Sequence, residues 1–211
     1  MNADFADFLT RSQNNAFAGA LKRPQIASSL CPILYSLIPF VLRLYLVLLK
    51  DMLDHTEITR WLYIGTTPQP GHYPMLHALG VGLVINMRFE RRPLPDHDGL
   101  PIKFLWLPTF DSPLIPIPIR ALERGAQEAV QTIEAGERVY VHCAAGRHRG
   151  VAMGSAILIA RGYTPEDAMD LIKSLRGVAD PHIWYIRRRI LRFAQVWDHR
   201  QRGVDAVEGL S

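Results

Sequence analysis

The stretch "VYVHCAAGRHRG", residues 139–150, sets one thiol, Cys143, between an apolar run and a group of bases. The small residues Ala144, Ala145 and Gly146 follow it, then Arg147, His148 and Arg149. Small side chains let backbone approach a ligand closely, and successive N–H groups turned inward make a nest for an anion. A thiol at the mouth of such a nest is stabilised as thiolate by the same N–H groups and becomes a nucleophile near neutral pH. Arg149, six residues after Cys143, offers a planar fork of donors that matches two oxygens of a phosphate. Thiolate below and guanidinium beside a bound phosphate are the parts for in-line phosphoryl transfer to sulfur.

Such a site needs a strand to deliver the thiol and a helix N-terminus to face the anion. "RVYVH" (138–142) reads as a buried strand, and residues 150–161 as a buried helix. Earlier, "WLYIG" (61–65), "VGLVINM" (81–87) and "IKFLWLP" (102–108) read as strands, with a short helix at 74–80. Residues 119–135 carry helical spacing in Leu122, Ala126, Ala129, Val130 and Ile133, stopped by Gly136. Thr164 followed by Pro165 is a cap with proline at the first helical position, and Asp180-Pro181 repeats it before a last helix. Ile186, Ile190, Phe193 and Trp197 are that helix's expected buried stripe. Strands alternating with helices predict an α/β fold with a mostly parallel central sheet flanked by helices. Ligands in such sheets bind at the carboxyl ends of the strands, where Cys143 falls.

The chain has 211 residues, is 48% apolar and carries a formal charge of +4, which suits anionic partners and does not call for nucleic acid. Two cysteines, Cys31 and Cys143, make no disulfide framework, and a reducing, cytoplasmic setting is expected. No Cys/His spacing suggests a metal, and the chemistry needs no cofactor. Residues 30–50, "LCPILYSLIPFVLRLYLVLLK", are the most apolar stretch. Arg43, Lys50 and Asp54 share one helical stripe there, so residues 40–54 read as an apolar helix. That helix packs on the domain, lies in a membrane interface as a peripheral anchor, or spans it. The expected layout is an N-terminal apolar helical extension over 1–56, an α/β domain over 57–199 and a tail over 200–211.

"HCAAGRHR" resembles the His-Cys-x(5)-Arg signature, with its internal glycine, of the cysteine-dependent protein tyrosine phosphatase superfamily. The likeness covers about residues 57–199 and is closest to the small dual-specificity branch, since no large insertions are present. It implies a phosphatase-like fold and a general-acid aspartate some thirty residues upstream; Asp111, in "LPTFDSP", lies 32 residues before Cys143. Cys143 is then the nucleophile, and Arg149 with the loop of Ala144, Ala145, Gly146, Arg147 and His148 holds phosphate. Asp111 acts as acid and then base, and His142 steadies the loop. Asp96 and Asp98 compete for the acid role, and Arg147 and His148 are equally readable as solvated surface. Arg88, Arg91 and Arg92 read as a solvated cluster, as do Arg187, Arg188, Arg189 and Arg192. The family usually has Ser or Thr after the arginine, where this chain has Gly150, and the missing hydroxyl is expected to slow departure of the thiolate. Phosphoproteins are the expected substrates. Inositol phosphates or phosphoinositides are the alternative, and a weakly catalytic phosphate-binding adaptor is the alternative of another class.

Overall fold

A computed structural model describes residues 52–93 and 99–208. The apolar segment through residue 51, Cys31 within it, and Asp96 and Asp98 lie outside the described residues. Five strands form one sheet: β1 (His55–Thr59), β2 (Leu62–Gly65), β3 (Val81–Arg88), β4 (Lys103–Thr109) and β5 (Arg138–His142). Their order is β1-β2-β5-β3-β4, with β5 central; β1 pairs antiparallel to β2 and every other pair is parallel. The mostly parallel sheet expected from strand–helix alternation is therefore present. β1 adds to the expected strands, because its polar sequence, "HTEIT", carries little apolar alternation.

Strand alternation sorts the side chains onto two faces. Leu62 and Ile64, Leu83 and Ile85, Leu105 and Leu107, and Val139 and Val141 point to the larger core. Tyr63, Val84 and Tyr140 point to the smaller one, with Tyr73 and Leu76 from the short helix α1 (Tyr73–Ala78). Cys143 continues the parity of Val139 and Val141 and joins the larger core, 1% exposed.

Four helices cover that face: α2 (Ile119–Glu134), α3 (Arg149–Ala160), α4 (Pro165–Leu175) and α5 (Trp184–Glu208). α3 is buried over its first ten residues, which explains its apolar sequence without a polar face. α4 starts as expected, with Thr164 Oγ1 accepting from Asp167 N–H at 3.1 Å. α5 buries Ile186, Ile190 and Phe193, and Trp197 stacks on Phe193 at 5.4 Å. It begins at Trp184, three residues later than the Asp180-Pro181 cap implied. Asp180 is engaged elsewhere: its N–H donates to the Arg147 carbonyl at 3.0 Å and its carboxylate meets the Arg147 guanidinium at 3.7 Å.

Candidate active site

β5 ends at His142, α3 begins at Arg149, and residues 143–148 turn between them. The loop's carbonyls are held from outside. Thr67 Oγ1 donates to the Cys143 carbonyl at 2.9 Å. Arg176 donates from Nη2 to Ala145 at 3.2 Å and from Nε to Gly146 at 3.0 Å, while Asp180 N–H takes Arg147. In a trans peptide the N–H points opposite to the C=O, so outward carbonyls turn the amides of Ala144, Gly146, Arg147 and His148 inward. The nest expected from small residues is thus enforced by named donors, with the N-terminus of α3 behind it.

Gly146 permits this shape twice over. Its φ is +58°, and a Cβ there would stand 2.7 Å from the Gly65 carbonyl oxygen and 2.9 Å from Arg176 Nη2. At Gly150, by contrast, a Cβ would lie 3.4 Å from the Cys143 nitrogen and 3.4 Å from the His142 carbonyl carbon. A Cβ there meets the His142–Cys143 backbone at about van der Waals distance.

Arg149 is 3% exposed. Its Nη1 donates to the Thr109 carbonyl at 2.9 Å and to Glu90 at 3.0 Å, and its Nη2 donates to the other Glu90 oxygen at 3.2 Å. Its Nε is buried with no hydrogen-bond partner among the described residues, and Asp111 Oδ2 stands 3.7 Å away. Burial opposes the Arg149 charge, yet the Glu90 hydrogen bonds and the charges of Cys143, Glu90 and Asp111 outweigh it and favour the cation. Hydrogen bonds from Arg149, and more weakly from Arg88, hold the Glu90 carboxyl down at about 2 against the pull of burial.

Asp111 follows β4 by two residues and reaches the same mouth. His148 Nδ1 lies 3.1 Å from its Oδ1, and the Tyr185 hydroxyl donates to Oδ1 at 3.1 Å. His142 sits below the loop with Nδ1 at a long 3.4 Å from the Cys143 carbonyl. Burial pushes its imidazole down to about 4, helped by the charges of Arg88, Arg149 and Arg91, so the ring is neutral at pH 7.

The structure therefore brings Cys143, Arg149, Asp111, His142 and the 144–148 loop together. Of the two readings left open for His148, solvated surface and substrate contact, neither describes its main contact, which is Asp111. Arg147 is largely exposed. Arg88 is not solvated as expected: it donates to Thr67 Oγ1 at 2.9 Å and to Glu90 at 2.8 Å. Arg92 lies over the Trp106 ring, 5.0 Å from its centroid. Thr67, Glu90, Arg176 and Tyr185 went unread, because each meets the site across 30 or more positions of chain, from Arg176–Gly146 at 30 to Thr67–Cys143 at 76.

No family model matches the chain. Human dual specificity phosphatase 28 is 30% identical over 122 residues, which cover 57% of this chain and 67% of that protein. Mouse dual specificity protein phosphatase 2 is 29% identical over 149 residues, 68% of this chain but 44% of that protein. Human phosphatidylglycerophosphatase and protein-tyrosine phosphatase 1 is 38% identical over 100 residues, 45% of this chain and 49% of that protein. The chain thus spans less than half the length of the last two. A crystal structure of human DUSP28 matches with a TM-score of 0.61 at 25% identity, over 69% of this chain and 95% of that one.

Proposed function

The chain belongs to the dual-specificity branch of the cysteine-dependent protein tyrosine phosphatases, and from that premise we propose that it hydrolyses phosphomonoesters through a phosphocysteine intermediate. The observation that carries the proposal is the loop itself: a buried thiol and a buried guanidinium at its two ends, with the carbonyls between them tied outward. Cys143 attacks phosphorus as thiolate, forming S–P as the P–O bond to the leaving group breaks. Arg149 and the inward amides hold the equatorial oxygens, which carry the transition-state charge. Asp111 gives its proton to the leaving oxygen, then as carboxylate takes one from the water that displaces sulfur. Glu90 occupies the Arg149 fork in the resting site, so an arriving phosphate replaces a carboxylate there.

Phosphotyrosine and phosphoserine or phosphothreonine in proteins are the leading substrates. Phosphoinositides or inositol phosphates are the second reading, favoured by the exposed Arg147 beside the nest and by the name of the phosphatidylglycerophosphatase relative. Leu114, 88% exposed three residues after Asp111, and Trp184, 62% exposed beside Tyr185, add apolar surface at the mouth that suits acyl chains. A phosphate-release panel of phosphotyrosyl, phosphoseryl and inositol-phosphate substrates, run with chelator, decides between them. Cys143→Ser is expected to abolish release while retaining tungstate binding; wild-type-like turnover in that variant would sink the mechanism. Release by the wild-type chain that Cys143→Ser abolishes also sets aside the adaptor reading, which rests on Gly150.

Within the expected 40–54 helix, residues 52–54 are not helical, Leu53 is buried in the domain and Asp54 holds Arg176, so residues 40–50 are proposed as a peripheral membrane anchor of a cytoplasmic protein. A chain beginning at Asp51 is expected to stay active and lose binding to anionic liposomes. Starting at Glu57 instead removes Asp54 and Thr56, which hold Arg176 at 2.9 and 3.0 Å.

A further inference from the structure

Two segments remote in sequence, residues 148–149 and the start of α5, converge on the Asp111 carboxyl. His148, which precedes α3, places Nδ1 at 3.1 Å from Oδ1 and 3.3 Å from Oδ2. Tyr185, in the first turn of α5, donates from its hydroxyl to Oδ1 at 3.1 Å. The same hydroxyl lies 3.0 Å from His148 Nδ1, and the two rings meet edge to face at 5.7 Å. Arg149 Nε approaches the other oxygen, Oδ2, at 3.7 Å.

Proton counting limits what this cluster does. The tyrosine hydroxyl has one proton, and spends it on Oδ1 or on Nδ1. When Asp111 is a carboxylate, its contact with Nδ1 is attractive only if that nitrogen carries hydrogen; when Nδ1 is bare, the hydrogen must be on the carboxyl. For Asp111 to act as acid and then be held as a carboxylate, Nδ1 keeps its hydrogen on the Oδ1 side throughout, and the proton that Oδ2 carries is a second one. Burial, then the charge and hydrogen bond of Asp111, push the Tyr185 hydroxyl up to about 12, so it remains a donor throughout. The other charged groups next to His148 in the chain are Arg147, itself paired with Asp180, and Arg149.

We propose that His148 and Tyr185 are positioning residues for the general acid, fixing Oδ1 so that Oδ2, on the Arg149 side, faces the leaving oxygen. The proposal rests on the phosphatase reading above. In the first half-reaction the Oδ2 proton passes to the leaving oxygen as P–O breaks and S–P forms. The carboxylate left behind is held by the Tyr185 O–H and the His148 Nδ1–H. In the second, water loses a proton to Oδ2 as its oxygen bonds to phosphorus and sulfur departs as thiolate.

A leaving group that is stable as an anion needs no proton, and this separates positioning from general loop damage. The full-length protein is assayed on phenyl phosphate and 2,4-dinitrophenyl phosphate, and the ratio of kcat/KM for the second ester over the first is followed. Tyr185→Phe and His148→Ala are each expected to raise that ratio about tenfold, the loss of one hydrogen bond to a developing charge. His148→Asn, which keeps a donor near the Nδ1 position, is expected to recover part of it. Tyr185→Phe removes one oxygen and keeps the ring, so it answers the question if His148→Ala fails to fold. An unchanged ratio in both Tyr185→Phe and His148→Ala overturns the proposal, as does an unchanged ratio in Tyr185→Phe alone where His148→Ala does not fold. A wild-type chain that hydrolyses neither ester overturns the phosphatase reading and this one with it.

Discussion

Arg149, at the end of the Cys143 loop, and Arg176, which holds that loop, are both 3% exposed and both place two nitrogens on a carboxylate. Their surroundings differ. Arg176 places all of its donors, on Asp54, Thr56 and the carbonyls of Ala145 and Gly146. Arg149 gives donors to Glu90 and to the Thr109 carbonyl and keeps a buried Nε without a partner among the described residues. One guanidinium is saturated and holds two carbonyls of the loop; the other keeps one donor unspent. Burial alone does not separate a structural cation from a ligand-binding one; the donor left unspent does.

Replacing the saturated arginine is expected to cost most. Arg176→Met leaves two loop carbonyls without their donor, at about 1–3 kcal/mol each, so melting temperature and activity should fall together. Arg149→Lys keeps the charge and loses the fork: kcat/KM should drop about 10²–10³-fold with little change in melting temperature. Equal thermal losses in the two variants would erase the distinction between them.

The loop's underside supplies a pH test of the same kind. His142 is neutral in the fold because burial lowers its pKa from 6.5 to about 4. Unfolded chain therefore binds the extra proton first, and stability present above pH 6.5 should be lost as pH falls toward about 4, by on the order of 3 kcal/mol. Denaturant unfolding at several pH values checks it, and His142→Asn should flatten that slope.

Gly150 tests the second half-reaction. Without its hydroxyl, sulfur departs with one donor fewer, which costs about 1.5–3 kcal/mol, or roughly tenfold to hundredfold in rate. Rapid quench should show a burst of leaving group, and Gly150→Ser should raise the steady rate and shrink the burst. A Cβ at that position meets the Cys143 nitrogen at about van der Waals distance. The smallest effect is expected at Glu90: Glu90→Gln should lower the inhibition constant of inorganic phosphate by up to about fivefold, as for a partly exposed pair. An increase instead would make Glu90 a support for Arg149 rather than a competitor.

Much of this was readable from the chain. Apolar alternation located four strands, Thr164 located a helix start, and the spacing of Cys143, Gly146 and Arg149 located the site. Those signals are local, because strand parity, capping and loop shape are set by neighbours in sequence. β1 escaped because its pairing, not its composition, makes it a strand. Glu90 and Tyr185 escaped because a lone glutamate or a helix-start tyrosine carries no local mark, and only the fold brings them to Arg149 and Asp111. Arg147 and His148 stand out in sequence as basic, yet their partners, Asp180 and Asp111, decide what each does.

The bond between Arg176 and Asp54 spans 122 residues of sequence. Ordering the ends of so long a segment is slow relative to closing local turns, since the loop-closure entropy must be met before the contact forms. The Cys143 loop obtains two of its carbonyl anchors from that same guanidinium, so its working shape waits on the meeting of the domain's first strand and its penultimate helix. Competence for phosphate is therefore expected late on the folding pathway. A nascent chain emerging from synthesis would carry its nucleophile long before it had the nest to activate it.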